Sequence, residues 1–210
     1  MNNDFKKQLI SIVGAKNLLL NDWEKKPFSN GWRYGSGTAL AVVKPGKLTE
    51  LWKVLDICVK NDLIIIMQAA NTGLTGGSTP YGNNYDREVI IINTLRIDKI
   101  HLLNNGNEIL AFAGSTLYDL EKKLLPLGRE PHSVIGSTSI GASIVGGICN
   151  NSGGSLVKRG PAYTETSIYA KIDRNGNLLL INDLDIYLGE SPEEILYNLE
   201  NKNFNKKDFL

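Results

Sequence analysis

The chain has 210 residues, of which 42% are hydrophobic and 21% charged. This composition is ordinary for a folded protein with one large domain or two small ones. Its 23 basic and 22 acidic residues nearly cancel to a net charge of +1, so the positive field that general nucleic-acid binding needs is missing. Two cysteines, two histidines and no C-x-x-C pair argue against a metal site and against a disulfide framework.

The N-terminal region predicts little regular structure beyond one helix. Apolar residues recur at helical spacing between Asp4 and Val13, which indicates a short helix. "KNLLLND" is a second apolar element, and "WEKKPFSNGWRYGSG" is interpreted as an irregular, aromatic-rich connector. The chain shows neither a signal-peptide core nor an apolar run long enough to span a membrane, so we expect a soluble, cytoplasmic protein.

The next stretch alternates strand and helix patterns. "ALAVVKP", "LIIIMQAA" and "EVIIINT" have the composition of strands, and "KLTELWKVLDICVKND" carries its apolar residues at helical spacing. A strand, a helix and a strand of these lengths predict a βαβ unit with a right-handed crossover.

The second half has a different style. Asn105-Gly106 and Asn175-Gly176 each lie between strand-like runs and predict hairpins. A helix is predicted from a cap at Thr116 to a stop at Gly128. Another begins at Ser191, with Glu194 completing a capping box. The pattern as a whole indicates two α/β lobes with a seam near residues 94–99.

Each lobe contains a glycine-rich segment. The first, "AANTGLTGGSTP", directly follows the strand that ends near Gln68. Glycines permit close approach of the backbone to a ligand, and several N–H groups pointing inward form a nest for an anion such as a diphosphate. The alternative is a surface loop with polar side chains. The residue types of the loop alone do not distinguish this alternative from a diphosphate site.

The second segment spans Gly136 to Gly154. Its small residues would let the start of a helix lie against a ligand, or alternatively allow tight packing of a helix on a sheet. Cys149, within this segment, is expected to be a buried small hydrophobe. Neither the G-x-G-x-x-G fingerprint nor a complete P-loop occurs in the chain.

Four strings together carry a resemblance: "MQAANTGLTGGSTP", "PLGREPHSVIGS", "GASIVGGICNNSGGSLVKRGPAYTE" and "LGESPEEIL". They resemble the FAD-binding part of the bacterial respiratory, quinone-dependent D-lactate dehydrogenases, a family of the vanillyl-alcohol-oxidase (PCMH) type. The resemblance implies an α+β fold of two α/β subdomains with FAD in the cleft between them. It implies a lead-in over 1–36 and a PCMH-type domain over 37–210, with subdomains of about 37–96 and 97–210.

The resemblance also implies the cofactor and the residues that hold it. The first glycine loop contains no His or Cys to which a flavin could be attached, so non-covalent FAD is expected, with Cys149 in the second segment as the alternative attachment point. The family oxidises D-lactate and passes electrons to a membrane quinone. The residues expected to line FAD are Ala69, Ala70, Asn71, Thr72, Gly73, Gly77 and Ser78 from the first loop, and Gly136, Ser143 and Gly153 from the second lobe.

Family members are much longer than this chain. The catalytic base, the carboxylate-binding residues and the contact with the cytoplasmic face of the inner membrane are expected in the region that follows. His132 and Arg129 are alternative candidates for base and carboxylate clamp, although we favour a role in holding the loop before Gly136. An exposed flavin cleft would lead to weak FAD retention and some self-association. The alternatives are another FAD-dependent 2-hydroxy acid or alcohol oxidoreductase, and a non-catalytic flavin-binding module.

Overall fold

A computed structural model describes residues 2–133, 135–153, 158, 160–161 and 163–205. Gly154 and the last five residues of the predicted second subdomain lie outside these ranges. Within them, no helix is both long and apolar enough to cross a membrane. The structure contains mixed helices and strands in one four-stranded and two two-stranded sheets, which agrees with the expected α+β class.

The first lobe is built on the four-stranded sheet, whose strand order is β1-β2-β4-β3. The strands are β1 (Leu18–Leu19), β2 (Ala41–Val43), β3 (Ile64–Gln68) and β4 (Val89–Asn93). Both β2 and β3 run parallel to β4, while β1 is antiparallel to β2. Helix α3 (Leu48–Lys60) connects β2 to β3. The predicted strand–helix–strand unit is therefore confirmed, with β4 inserted between its two strands.

Helices cover both faces of this sheet. Helix α1 (Asn3–Val13) packs with α3 against one face, in a core that contains Leu9, Val54 and Ile90. Helix α2 (Asp22–Ser29) places Phe28 on the opposite face. The prediction of an irregular connector was wrong over α2. Asn21 and Glu24 form a capping box at its start, a signal that we overlooked beside Pro27 and the aromatic residues.

The second lobe combines two hairpins and three helices. The hairpins, β5 (Ile100–Leu103) with β6 (Glu108–Ala111) and β7 (Ile168–Ile172) with β8 (Leu178–Asn182), confirm both Asn-Gly turn predictions. The helices are α4 (Leu117–Leu124), α5 (Ile144–Cys149) and α6 (Pro192–Glu200). Ile100, Leu120 and Ile144 belong to one buried cluster that joins the first hairpin to α4 and α5.

The predicted helix ends are largely as expected. The Thr116 hydroxyl accepts a hydrogen bond from the Asp119 backbone N–H, and Gly128 adopts a left-handed conformation after the last turn. The Ser191 hydroxyl likewise accepts from the Glu194 N–H at 3.2 Å. The Glu194 carboxylate, however, accepts from the Glu190 N–H at 2.9 Å. The capping box is therefore shifted by one residue from the predicted one.

Helix α3 joins the two lobes. Val54 and Cys58 face the four-stranded sheet, whereas Leu48 and Trp52 belong to a buried cluster with residues of α6. The Trp52 indole N–H donates to the Glu193 carboxylate at 3.0 Å, and the buried Glu200 carboxylate accepts from the Leu48 N–H at 3.4 Å. Packing on both sides of α3 thus contributes to the orientation of one lobe toward the other.

Candidate dinucleotide site

The first glycine-rich loop leaves the carboxyl end of β3 and is tied back to the lobe at both ends. Gln68, the last residue of β3, donates from its side-chain amide to the carbonyl of Ser78 at 2.7 Å. Asn93, the last residue of β4, donates to the carbonyl of Ala69 at 2.9 Å. Parallel strands end at the same sheet edge, so these two side chains meet where ligands usually bind in open α/β sheets.

A second tie lies inside the loop. Asn71 has a left-handed backbone with φ of 55°, which asparagine tolerates better than most residues. Its side-chain oxygen accepts from the Ser78 hydroxyl at 2.9 Å, and its side-chain nitrogen donates to the Asn30 carbonyl at 2.7 Å. The side chains of two predicted ligand residues therefore shape the loop, and its backbone N–H groups together with the Thr72 and Thr75 hydroxyls are the candidate donors to a ligand.

The segment from Asn30 to Gly37 lies directly against this loop, and sequence reasoning missed it. Gly31 donates its N–H to the Gly35 carbonyl at 2.7 Å, which closes a tight turn. A Cβ on Gly35 would collide with the Thr79 hydroxyl, and one on Gly37 would lie 2.9 Å from the Gly82 nitrogen. Three glycines within "NGWRYGSG" were the available signal of this close backbone packing.

The second glycine-rich segment presents the start of α5 to the seam. Ser143 caps this helix, because its hydroxyl accepts from the Gly146 N–H at 3.1 Å. The segment pairs with residues at the start of α4. Leu117 donates to the Ala142 carbonyl, and Ile144 donates to the Ser115 carbonyl, both at 2.9 Å. Gly136 is exposed, Gly153 is half-buried and Ser143 is buried.

The two segments are connected through a few residues at the seam. The Thr94 hydroxyl contacts the Gln68 carbonyl at 3.3 Å and the Ala113 carbonyl at 3.2 Å. A Cβ on Gly114 would lie 2.7 Å from the Thr94 carbonyl carbon, so the two backbones touch. Ser115, the next residue, pairs with α5 as described. The structure therefore brings the start of the first loop and the start of α5 to one seam.

The glycines of the described chain fall into groups with different physical reasons. Some have a positive φ, and others, such as Gly37 and Gly114, are required by a neighbouring backbone. A third group has an ordinary φ and no atom closer than 3.9 Å to an added Cβ. Every described glycine of this third group lies in one of the two glycine-rich segments: Gly73, Gly77, Gly136, Gly147 and Gly153. Open space in front of these backbones is what a cradle for a ligand requires.

The two cysteines lie in different environments. Cys58 is fully buried in the first lobe, and burial raises the pKa of its thiol to about 12. Cys149 is exposed, so its prediction as a buried small hydrophobe was wrong. It is the last residue of the short α5, and its neighbours Asn150 and Asn151 are exposed as well.

The alternative catalytic candidates do not form an acid–base pair with any described group. The exposed His132 ring packs edge-on against the Tyr163 ring, with centroids 5.7 Å apart, and Arg129 is half-buried. No group of three His, Cys, Asp or Glu side chains that could hold a metal ion occurs among the described residues.

The fold and the match to a family model together define an α+β FAD-binding domain of the PCMH type. The chain belongs to the FAD binding domain family, whose model matches residues 39–172. It is 58% identical over 207 residues to the quinone-dependent D-lactate dehydrogenase of Escherichia coli, covering 99% of this chain and 36% of that protein. It is 55% identical to the Haemophilus influenzae enzyme of the same name, covering 96% and 36%.

The fold is also similar to that of alkyldihydroxyacetonephosphate synthase. The TM-score is 0.71 at 16% sequence identity, over 93% of this chain and 38% of the other. At this identity the likeness concerns the fold alone. The chain spans about a third of the length of the D-lactate dehydrogenases that it matches.

Proposed function

We propose that this chain forms the FAD-binding part of a quinone-dependent D-lactate dehydrogenase, which oxidises D-lactate to pyruvate. Two observations carry the proposal. The starts of the two glycine segments come together at one seam, and five glycines of these segments have open space where a Cβ would lie. The 58% identity to a D-lactate dehydrogenase across nearly the whole chain supports the substrate. The activity is proposed for a protein that includes the further region present in those relatives.

Ten residues would hold the cofactor. Backbone N–H groups of the first loop suit the diphosphate, because that loop contains no charged residue and its Asn and Ser side chains are engaged with each other. The second segment would lie along the remainder of the dinucleotide. The residues are Ala69, Ala70, Asn71, Thr72, Gly73, Gly77, Ser78, Gly136, Ser143 and Gly153.

When bound, FAD supplies a two-electron acceptor for the oxidation of the C2 hydroxyl of D-lactate, and quinone is the final acceptor. The task of the described residues is to bind and orient FAD. The groups that remove the hydroxyl proton and bind the lactate carboxylate belong, in this proposal, to the further region. We infer non-covalent attachment, because the first loop contains neither His nor Cys.

Membrane contact at the cytoplasmic face is part of the same proposal and would also be made by that region. Self-association of this chain is supported by exposed aromatic side chains beside the first loop. Trp32, Tyr34 and Tyr81 are 62%, 66% and 79% exposed, and such surfaces tend to be covered in an assembly.

The test uses the longer protein and three substrates: D-lactate, L-lactate and D-2-hydroxyglutarate, with an artificial electron acceptor. Preferential turnover of D-lactate, with flavin released into the supernatant on acid precipitation, is the expected result. Preferential turnover of D-2-hydroxyglutarate would replace the substrate assignment and leave the flavoprotein assignment in place. A flavin that stays with the precipitate would contradict non-covalent attachment.

A further inference from the structure

We infer that Gln68 and Asn93 are positioning residues for the dinucleotide. Their two buried side-chain amides, here called the amide clamp, hold both ends of the first glycine loop so that its backbone N–H groups stay aimed at a diphosphate. The inference rests on the proposed function, since it takes FAD as the ligand of that loop. Neither residue is among the ten proposed to contact FAD.

The geometry of the amide clamp is complete. Gln68 is 2% exposed and Asn93 is 1% exposed. The Gln68 amide nitrogen donates to the carbonyls of Phe28 at 2.8 Å and Ser78 at 2.7 Å. The Asn93 amide nitrogen donates to the Gln68 side-chain oxygen at 3.2 Å and the Ala69 carbonyl at 2.9 Å. One continuous chain of hydrogen bonds therefore joins α2, both ends of the loop and β4.

These bonds use all four amide hydrogens of the pair, because each side-chain amide has only two. The Asn93 oxygen is also engaged, accepting from the Leu95 N–H at 3.3 Å. The amide clamp has no donor left for a ligand, so it acts on FAD only through the loop. A carboxylate at position 68 could not replace it, since it would face the carbonyl oxygens of Phe28 and Ser78 without a hydrogen to donate.

The consequence for binding follows from preorganisation. A loop with several glycines loses much conformational freedom on becoming ordered. The amide clamp fixes the distance between Ala69 and Ser78 before any ligand arrives, so that ordering cost is met during folding rather than during FAD binding. Loss of the clamp should therefore weaken FAD binding in protein that is still folded.

The experiment compares Gln68→Met and Asn93→Ala with Asn17→Ala as the matched control. Asn17 is also a buried amide, 8% exposed, and its side chain donates to the Val13 carbonyl at the end of α1. All three variants should unfold at a lower temperature than the wild type. Only the two clamp variants should weaken FAD binding, each by about fivefold for the one loop-end bond that it loses, while Asn17→Ala stays within about twofold.

Fluorescence titration with FAD measures the dissociation constant, and circular dichroism at the same temperature confirms that each variant is folded. Equal FAD affinity in folded Gln68→Met and wild type would overturn the amide clamp. A wild type that fails to bind FAD would instead refute the proposed function.

If the clamp variants do not fold, the wild type itself provides the test. The side-chain NH₂ signals of Gln68 and Asn93 should exchange slowly with solvent before FAD is added and keep their chemical shifts afterwards. Rapid exchange of these signals in the FAD-free protein would refute a preformed clamp.

Discussion

Gly114 and Gly73 should respond in opposite ways to the same substitution with alanine. A Cβ on Gly114 would lie 2.7 Å from the Thr94 carbonyl carbon and 2.8 Å from the Leu95 Cα. Both are backbone atoms, and ordinary Cβ contacts begin near 3.4 Å, so the seam between the lobes must open. A Cβ on Gly73 meets no atom within 4 Å, so the protein alone gives it nothing to displace.

The magnitudes follow from this difference. Overpacking against a fixed backbone costs about 1–3 kcal/mol, and Gly114→Ala should fall in the upper half of that range. For a chain of this size that destabilisation corresponds to a fall in melting temperature of about 4–12 °C. Gly73→Ala should change the free energy of unfolding by less than about 1 kcal/mol. Alanine lowers the conformational entropy of the unfolded chain, and this stabilising effect offsets any local strain in the folded loop. It should nevertheless weaken FAD binding, because the methyl group occupies the cradle.

The assay is thermal unfolding without FAD, followed by fluorescence titration with FAD, on both variants. Gly114→Ala with wild-type melting behaviour would refute the close packing at the seam. Gly73→Ala with wild-type FAD affinity would show that the open space before this backbone is not where the dinucleotide lies.

Three further predictions concern stability, and a fourth concerns the reactivity of the two cysteines. Thr116→Ala removes the cap of α4 and should cost about 1 kcal/mol in urea unfolding; no change would show that the cap is replaced by solvent. Ile91→Ala, fully buried at the centre of the sheet, should cost about 2–5 kcal/mol, whereas Ile172→Ala at a position 53% exposed should cost less than about 0.5 kcal/mol. Above pH 9 the Cys58 thiol ionises only in the unfolded chain, because burial raises its folded pKa to about 12. Between pH 9 and pH 12 the free energy of unfolding should therefore fall by up to about 1.4 kcal/mol per pH unit. The Cys58→Val variant should lack this contribution to the slope. At pH 8 a thiol reagent should label only the exposed Cys149 in the folded protein.

The elements with strong local patterns were predictable. Apolar runs and the two Asn-Gly pairs identify β2 to β8 as strands, and the helical spacing of Leu48, Trp52 and Leu55 identifies α3. The insertion of β4 between β2 and β3 was not predictable, because strand order depends on contacts that no local pattern records. Helix α2 was missed because it has few apolar residues at helical spacing and because Pro27, inside the helix, is typical of a helix break.

The site was predictable in composition but not in construction. The glycine-rich loops predict a close approach of backbone and ligand. The sequence does not distinguish a glycine that leaves space for a ligand, such as Gly73, from one that packs against a neighbouring backbone, such as Gly114. That distinction needs coordinates. For the same reason the roles of Gln68 and Asn93 were hidden, since each has the composition of an ordinary strand end and both act through contacts distant in the chain.

Titration of the purified chain with FAD, FMN and riboflavin tests the central claim most directly. The three ligands share the flavin ring, but only FAD carries the diphosphate and adenosine that the two glycine segments are proposed to hold. Saturable quenching of FAD fluorescence, with FMN and riboflavin binding at least about tenfold more weakly, is the predicted result. Equal binding of all three flavins, or binding of none, would contradict a preformed dinucleotide site in this chain.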